Sequence, residues 1–434
     1  MPEPAETLEV EGHAIKVTNP SKVFFPDAEG GPITKLDLVR YWIEVAEVAL
    51  TGCRDRPAIL HRFPNGVADD GFYQKRSPKG APEWVQTALI TFPSGRTATM
   101  PVMADAAHIA WSATLGCLEV NPWPVRRTDV DRPDELRIDL DPGPDVPFDW
   151  VRDVALAARE VLGAHGLSGY PKTSGKRGIH INVRIEPRWT FTEMRRAALA
   201  LAREVERLVP DMATTAWWKE ERHGVFLDYN QNARDRTVAS AYSVRPMADA
   251  RVSTPITWDE VATVDPAAFT MRSIPERLRR VGDPGAGIDD TAGSLVPLLE
   301  RAAEHDASGL ADAPWPPHFE KGADEPPRVA PSRRRRPIHP LIEIARAATK
   351  TEALEGLERW KLRHPEVAAH LEPSDVLVDS MRGRSSTWTR IRLNLRHVPA
   401  AERPEQGPLE VDYDPWAGVS WSEDEPQDGG SSPS

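Results

Sequence analysis

The segment LRIDLDPGP places two aspartates, Asp139 and Asp141, in alternation with apolar residues. Because side chains on a β-strand alternate between its two faces, we expect both carboxylates on one face and Leu136, Ile138 and Leu140 in the core. Paired carboxylate oxygens on a rigid strand, followed by a Pro-Gly turn, suit Mg²⁺ or Mn²⁺. Acidic residues two positions apart also occur on solvated strands, and this alternative stays open for the segment alone.

The segment KTSGKRGIHINVRI carries a more specific pattern. A polar turn that contains Ser174 and two glycines, one of them Gly178, precedes a strand in which His180 alternates with isoleucine and valine. Glycines allow positive φ and close backbone approach, so we expect exposed N–H groups, the Ser174 hydroxyl and the Lys176 and Arg177 charges to bind phosphate oxygens. The spacing is not that of a P-loop. The alternative is a basic surface hairpin with a histidine at the edge of the core.

A third aspartate, Asp228, lies in the segment GVFLDYNQNARDRTVASAYSVRP. Its aromatic and β-branched neighbours predict a strand, from which it would complete a three-carboxylate metal site with Asp139 and Asp141. The alternative is that Asp228 only caps a turn. Arg245 is predicted at the end of the next strand.

Basic and aromatic residues are interleaved near the N-terminus. Lys22 and Lys35 flank a Pro-Gly loop, and the segment HRFPNG at 61–66 precedes Phe72 and Tyr73. This combination is typical of surfaces that stack on bases and contact phosphates. A solvated basic loop with an aromatic side chain in the core is the alternative.

Helices and short strands must position these residues. Apolar spacing predicts helices over 35–50, 150–162 and about 191–209, the last with a capping box formed by Thr190 and Glu193. Short segments of period two between them predict strands, which together indicate an α/β or α+β fold. Near the C-terminus the segments PLIEIARAA and EALEGLERWKLRH predict a helical pair, followed by a strand pair within 376–398.

Composition limits the class of protein. The chain has 434 residues and a net charge of −12, and its two cysteines, Cys53 and Cys117, are too few for a disulfide framework or a structural zinc site. With no signal peptide and no apolar span, we expect a cytoplasmic protein without a membrane partner. Eight acidic residues follow Pro404 without any lysine or arginine, so the acidic total does not exclude a nucleic-acid partner. It predicts weak, strongly salt-dependent DNA binding.

Six segments in chain order carry a family resemblance: NPSKVFFP, RFPNG, FYQKR, IDLDPGP, TSGKRGIH and FLDYNQN. Over about residues 10–300 the chain resembles the polymerase/primase domain of bacterial DNA ligase D, a branch of the archaeo-eukaryotic primase superfamily. It lacks the K-x-D-G ligase motif and a His-rich nuclease motif, as in the stand-alone actinobacterial form. The resemblance implies an α+β primase-like core, with central mixed or antiparallel sheets flanked by helices, and a small C-terminal α/β appendage.

The domain prediction follows from this resemblance and from composition. Residues 1–302 would form the polymerase/primase domain, and 303–337 a linker rich in proline and arginine. Residues 338–403 would form a small accessory domain, and 404–434 an acidic, disordered tail. Five arginines, Arg382, Arg384, Arg390, Arg392 and Arg396, stand against one acid, Asp379, between 376 and 398. The accessory domain is therefore predicted to bind DNA or a partner, or else to be an appendage that docks on the core.

The resemblance implies a template-directed nucleotidyltransferase that extends primers and fills gaps with ribo- or deoxynucleotides in DNA repair or end joining. Asp139, Asp141 and Asp228 would be the catalytic ligands of two divalent cations, Mn²⁺ or Mg²⁺. The nucleotide would be bound by Ser174, Lys176, Arg177, Gly178, His180, Asn121, Gln231 and Arg245. The DNA, with a 5′-phosphorylated gap or end, would be bound by Asn19, Lys22, Lys35, Arg62, Phe72, Tyr73 and Lys75. Ku and a separate DNA ligase are the implied protein partners, and the nucleoid the implied location.

Three positions depart from the family pattern. Asn121 stands where the family usually has histidine, Arg177 where lysine is common, and Met247 where a second arginine follows Arg245. These departures affect nucleotide affinity and sugar preference more than reaction type.

Two other functions stay open. One is a haloacid-dehalogenase-like phosphatase in which Asp139 is phosphorylated, although this class gives no role to TSGKRGIH. The other is a catalytically silent protein that binds DNA ends.

Overall fold

The computed structural model describes residues 3–310, 312–316, 341–382 and 387–414. The chain divides into two compact units, Met1–Arg328 and Val329–Ser434. Within the described residues, no helix is both long enough and apolar enough to cross a lipid bilayer.

The N-terminal unit combines short strands with helices. Its strands are β1 (Glu6–Val10), β2 (His13–Val17), β3 (Val23–Phe25), β4 (Ile33–Thr34), β5 (Arg56–Arg62), β6 (Phe72–Gln74), β7 (Thr87–Thr91), β8 (Thr97–Met103), β9 (Cys117–Pro122), β10 (Glu135–Pro142), β11 (Gly169–Thr173), β12 (Ile179–Arg184), β13 (Ala213–Thr214) and β14 (Val225–Leu227). Its helices are α1 (Lys35–Glu44), α2 (Ala46–Cys53), α3 (Ala106–Thr114), α4 (Phe148–Ala164), α5 (Phe191–Leu208), α6 (Trp258–Val261), α7 (Ile274–Val281) and α8 (Val296–Ala307). The predicted α+β class is confirmed.

The predicted helices are present, with one interruption. The 35–50 segment forms α1 and α2 because Val45 leaves the helical conformation, with φ −95° and ψ 1°. Helix α4 covers the second prediction and α5 the third. At the start of α5, Thr190 and Glu193 form the predicted capping box, which satisfies backbone N–H groups that have no partner within the helix.

One sheet carries the polar residues that the sequence singles out as candidates for catalysis and binding. Its strand order is β11-β12-β10-β14-β13, antiparallel except for the β13–β14 pair. As predicted, Leu136, Ile138 and Leu140 enter a hydrophobic core, which they share with apolar residues of α4 and α5. The polar side chains of β10 and β12 therefore line the opposite face of the sheet.

A second sheet, in the order β6-β5-β8-β7 with β9 also paired to β5, is joined to the first by a buried ionic network. Arg56 on β5 donates to Asp134 across 2.6 Å, and Arg184 on β12 contacts the same carboxylate at 3.2 Å. Arg126 adds a third contact at 2.8 Å. Although burial opposes ionisation, these arginines lower the pKa of Asp134 to about 2. The network holds the two sheets of the unit in one arrangement.

The C-terminal unit contains strands β15 (Leu341–Ala347), β16 (Val376–Arg382) and β17 (Thr387–Asn394) and helices α9 (Lys350–Arg363) and α10 (Pro365–Ala368). The antiparallel sheet has the order β15-β17-β16. The predicted strand pair and the helix over EALEGLERWKLRH are confirmed. The predicted helix over PLIEIARAA is wrong, because this segment is β15. A register shift between Glu343 and Ala345 breaks its alternation, so its apolar spacing resembles that of a helix.

Ordered structure extends beyond two of the predicted boundaries. Helix α8 continues to Ala307, and Asp312 pairs with the buried Arg195 at 2.9 Å, inside the segment predicted as linker. At the other end, the Arg346 N–H donates to the Val411 carbonyl oxygen at 2.8 Å, and Val411 packs on the C-terminal core. The start of an unstructured tail at 404 is thus too early. Residues 311 and 317–337 of the predicted linker, 338–340 and 383–386 of the predicted accessory domain (Arg384 among them) and 415–434 of the predicted tail lie outside the described residues.

Candidate active site

Three aspartates approach one another on the polar face of the first sheet. Asp139 and Asp141 point to the same face of β10, as predicted. Asp228 directly follows β14, and the pairing of Leu140 with Leu227 places it opposite Asp139. The Asp228 N–H donates to the Asp139 carbonyl oxygen at 2.9 Å.

Asp228 caps a turn, as in one of the two alternatives for this residue, and its carboxylate also acts on the Asp139 pKa. Its side chain accepts from the Asn230 N–H at 3.1 Å and so caps the short 3₁₀ helix Tyr229–Asn232. Its other oxygen accepts from Gln231 Nε2 at 2.9 Å. The turn therefore orients the carboxylate towards Asp139 and brings Gln231 to the site.

The proximity of the carboxylates affects the pKa of Asp139. Burial, followed by the charges of Asp228 and Asp141, raises the pKa of Asp139 to about 8. Burial also raises the pKa of Asp228. Among the described residues, no three His, Cys, Asp or Glu side chains already stand in a closed metal-binding cluster. The charges of Asp228 and Asp141 nevertheless oppose ionisation of Asp139, and a hard divalent cation would remove this repulsion.

A row of polar residues crosses the sheet beside Asp139. Register pairs Lys172 on β11 with His180 on β12, and His180 with Asp139 on β10. His180 Nε2 lies 3.3 Å from Asp139 Oδ1, and Lys172 Nζ lies 2.9 Å from His180 Nδ1. Burial lowers the pKa of Lys172 to about 7 and the pKa of His180 well below its ordinary value. The sequence predicted His180 here but not Lys172, whose signal was its position on β11, two residues before Ser174.

The turn before β12 differs from its prediction. The Ser174 hydroxyl accepts from the Lys176 N–H at 3.1 Å and from the Gly178 N–H at 3.0 Å, so these amides are satisfied within the turn. A Cβ at Gly178 would lie 2.3 Å from the Leu140 carbonyl oxygen, which requires glycine there. Ser174 and Gly178 therefore shape the turn and hold it close to β10.

The two basic residues of the turn face different surroundings. Arg177 donates to the carbonyl oxygens of Gly143 and Pro144, at 2.7 and 2.6 Å, and so holds the loop that follows Asp141. Within the described residues, the exposed Lys176 ammonium has no hydrogen-bond or ion-pair partner. Both line a cavity of about 270 Å³ whose other lining residues are Val146, Phe148, Arg152, Arg251, Asp265 and Pro266. Four cations and one acid make this cavity suitable for a phosphate-bearing ligand.

Arg245 forms an ion pair with a buried carboxylate, that of Glu119. It follows an isolated bridge between Val244 and Val252, so the predicted strand is absent there. Its Nη1 lies 3.0 Å from Glu119, and the other oxygen of Glu119 lies 2.8 Å from His61 Nδ1. Glu119 is only 2% exposed and was not predicted as a site residue. A chemical signal was available, since a glutamate within a strand of apolar residues needs a buried partner.

Asn121 lies two residues beyond Glu119 on β9, where it is buried and paired with Ile59. Its Nδ2 donates to the Glu119 carbonyl oxygen at 3.3 Å. The structure thus places Asn121 on β9, the strand whose Glu119 pairs with Arg245.

The N-terminal basic residues converge in a second cluster. Lys22 Nζ contacts Asn65 at 2.6 Å, and the Lys35 N–H donates to the Lys22 carbonyl oxygen at 2.8 Å. The Lys35 ammonium is buried and contacts the Thr18 carbonyl oxygen at 2.8 Å. Burial, followed by the charges of Lys22 and Arg62, lowers the pKa of Lys35. The charges of Lys22 and Arg62 therefore disfavour the charged form of Lys35, and a bound anion would offset this repulsion.

The polypeptide bends sharply next to these cations. Asn19 has a φ of +51° and its carbonyl oxygen accepts from the Lys22 N–H at 3.1 Å. Asparagine tolerates this left-handed conformation better than most residues. Asn19 therefore closes the turn that carries Lys22.

Strand β6 presents the aromatic surface. Phe72 is 46% exposed and Tyr73 is 62% exposed, so the alternative of a core aromatic is wrong for this pair. The Arg62 guanidinium lies 5.2 Å from the Phe72 ring centroid, and the His61 ring stacks on Tyr73 at 4.0 Å. Lys75 is partly neutralised by Asp235 at 3.0 Å. Exposed rings beside arginine are a platform suited to nucleobases.

Comparison with known proteins then decides the family. The family model described as "LigD, primase-polymerase domain" matches residues 34–285. The chain belongs to the LigD primase-polymerase family. This membership confirms the prediction of a nucleotidyltransferase and decides against the haloacid-dehalogenase-like alternative for Asp139.

Relatives from the LigD primase-polymerase family are longer than this chain, and the match covers only part of each of them. The multifunctional non-homologous end joining protein LigD of Mycolicibacterium smegmatis is 31% identical over 335 residues, which are 76% of this chain and 43% of that protein. The bifunctional LigD of Bacillus subtilis is 30% identical over 273 residues, 62% of this chain and 43% of that protein. The chain thus spans less than half the length of these relatives.

A solved structure supports the fold of the LigD primase-polymerase family. The polymerase domain from Mycobacterium tuberculosis ligase D, in complex with DNA, is 32% identical, with a TM-score of 0.58. The match covers 64% of this chain and 98% of that domain. The predicted primase-like fold is confirmed.

Proposed function

We propose that this protein is a template-directed nucleotidyltransferase that extends primers and fills gaps in DNA, with nucleoside triphosphates as substrates. The observation that supports this most directly is the main-chain pairing of Asp139 with Asp228 beside His180. It sets carboxylates and a neutral nitrogen donor on one rigid sheet face, in a chain of the primase-polymerase family.

Asp139, Asp141 and Asp228 would hold two divalent cations, Mn²⁺ or Mg²⁺. When bound, such cations neutralise the triphosphate charge and lower the pKa of a primer 3′-hydroxyl. The main chain of β10 and β14 keeps the three carboxylates in place without ligand, because their spacing is part of the sheet register.

The nucleotide would lie over the polar face of the sheet. His180 and Arg245 would donate to its phosphates from the buried side, and Lys176 and Arg177 from the basic cavity. Ser174 and Gly178 would contribute by shaping the turn. Gln231 would orient Asp228, and Asn121 would support Glu119, the partner of Arg245.

The DNA would follow the second cluster and the β6 surface. Asn19, Lys22 and Lys35 would bind a 5′-phosphate, while Arg62, Phe72, Tyr73 and Lys75 would contact the template strand. Relatives named for non-homologous end joining favour a role in that process, with Ku and a separate ligase as partners and nucleoid DNA as the location.

Primer extension on a gapped duplex tests the proposal. The full chain is given a 5′-phosphorylated gap, Mn²⁺ or Mg²⁺, and ribo- or deoxynucleotides, beside the double variant Asp139→Ala/Asp141→Ala. We expect templated extension only by the unchanged chain, with DNA-end binding retained in both. Binding without extension by the unchanged chain, under every metal and nucleotide, would establish the silent end-binding protein instead.

A further inference from the structure

Lys172 lies beneath the site in an environment that is unusual for a lysine. It is 2% exposed, and its ammonium is enclosed by His180 Nδ1 at 2.9 Å and Ser253 Oγ at 2.7 Å. It shares one register position with His180 and, through His180, with Asp139. A charged group is buried in this way only where its hydrogen bonds are satisfied.

The direction of these hydrogen bonds follows from donor and acceptor chemistry. The Ser253 hydroxyl donates to the Thr173 carbonyl oxygen at 2.8 Å, so it accepts from Lys172. In its ammonium form Lys172 has donors only, and in that form the facing His180 Nδ1 is an unprotonated acceptor. The single proton of the neutral imidazole then sits on Nε2, which lies 3.3 Å from Asp139 Oδ1.

We propose that Lys172 is a positioning residue that holds His180 in its Nε2–H tautomer, so that His180 presents an N–H donor to ligand oxygens bound at the aspartates. The identity of that ligand as a nucleoside triphosphate rests on the proposed function. The tautomer does not, because it follows from contacts within the protein.

The histidine tautomer is observable without any activity. In protein labelled with ¹⁵N-histidine, ring nitrogen chemical shifts separate protonated from unprotonated nitrogens, and His180→Gln assigns the signal by its loss. We expect the unchanged chain to show Nε2–H. Lys172→Met removes the donor and should give a mixture of tautomers, whereas Lys172→Gln supplies an amide N–H and should restore Nε2–H. A proton on Nδ1 in the unchanged chain, or an unaltered tautomer in Lys172→Met, would overturn the proposal.

Nucleotide kinetics provide the second measurement. Loss of one buried donor interaction should raise the nucleotide KM of Lys172→Met about tenfold, with partial recovery in Lys172→Gln. Lys16→Met, on the exposed side of β2, is the matched control and should change neither the His180 signal nor the KM. Equal KM increases in the Met and Gln variants would contradict the positioning role, because a space-filling role does not distinguish an N–H donor.

A second variant distinguishes a folding defect from loss of the positioning role. If Lys172→Met does not fold, Ser253→Ala removes the other hydrogen-bond partner of Lys172 and should also broaden or shift the His180 signal. If the unchanged chain incorporates no nucleotide but shows the lysine-dependent tautomer, the proposed function fails and the positioning role stands. If the unchanged chain extends primers but the His180 tautomer does not depend on Lys172, the positioning role fails and the proposed function stands.

Discussion

The backbone N–H of Asp228 donates a hydrogen bond to the backbone carbonyl oxygen of Asp139 over 2.9 Å. This bond continues the β10–β14 ladder past the last residue of β14. The separation of the two carboxylates is therefore set by main-chain pairing, and either side chain can be changed while the backbone stays in place.

Asp228→Asn should abolish most primer extension while the fold is retained. The amide keeps an oxygen for the Asn230 N–H but loses the charge that a divalent cation requires. Several kcal/mol of transition-state stabilisation correspond to a rate loss of about a thousandfold. Single-turnover extension measures the loss, and Mn²⁺ titration should show weaker binding. Extension within tenfold of the unchanged chain would contradict the metal role of Asp228.

In cation-free protein, the Asp139 carboxyl should make stability fall as pH rises from about 4 to about 8. The folded state keeps this proton up to a pKa of about 8, whereas an unfolded aspartate loses it near 3.9. In this window the folded state binds more protons, so the free energy of unfolding decreases with pH. Asp139→Asn resembles the protonated form and should gain stability relative to the unchanged chain as pH rises. Urea unfolding at pH 5 and pH 8.5 measures this difference; a constant difference would refute the shift.

Glu119→Gln should weaken both stability and nucleotide binding. Glu119 joins Arg245 to His61, and its removal leaves a largely buried guanidinium without its charge partner. We expect a loss of about 2 kcal/mol in the free energy of unfolding and a raised nucleotide KM. Glu186→Gln, which breaks the exposed pair with Arg188, is the control and should cost less than about 0.5 kcal/mol. Similar losses in the free energy of unfolding in both variants would show that the buried Glu119–Arg245 pair contributes no more than an exposed pair.

Lys22→Gln should remove the preference for a 5′-phosphorylated end. The charges of Lys22 and Arg62 both act on Lys35 in the N-terminal basic cluster, and the contact of Lys22 with Asn65 can be made by glutamine as well. We expect affinity for a 5′-phosphate gap to fall about tenfold, while affinity for a 5′-hydroxyl gap stays within twofold. Fluorescence anisotropy at two salt concentrations tests this. Equal losses on both substrates would place the 5′-phosphate elsewhere.

Arg390→Ala/Arg392→Ala in the full chain should change DNA affinity less than about twofold. Both guanidinium groups contact the single carboxylate of Asp379, at 3.2 and 2.9 Å, which halves the net positive charge that they present to a phosphate. Arg396 is similarly paired with Asp375 at 2.7 Å. These contacts favour the accessory unit as an appendage or protein-binding module. A tenfold loss of DNA affinity would instead support the predicted DNA-binding role.

Short-range patterns in the sequence predicted several features correctly. The alternation in LRIDLDPGP set the faces of Asp139 and Asp141, because strand geometry depends only on neighbouring residues. The Thr190 and Glu193 cap at the start of α5 is equally local. The order of the motifs indicated the family, which the comparison confirmed. Local patterns misled where a strand irregularity disturbed the period, as in β15.

Tertiary structure alone decided how distant segments meet. Loop sequences do not specify strand register, and only the register places Asp228 opposite Asp139 and Lys172 beside His180. The same holds for Glu119, which reaches Arg245 because the Val244 N–H donates to the Leu118 carbonyl oxygen of β9 at 2.9 Å. The sequence by itself thus determined which residue types are available on each strand. Their combination into one site depended on long-range pairing, whose free energy comes from the packed core rather than from any single motif.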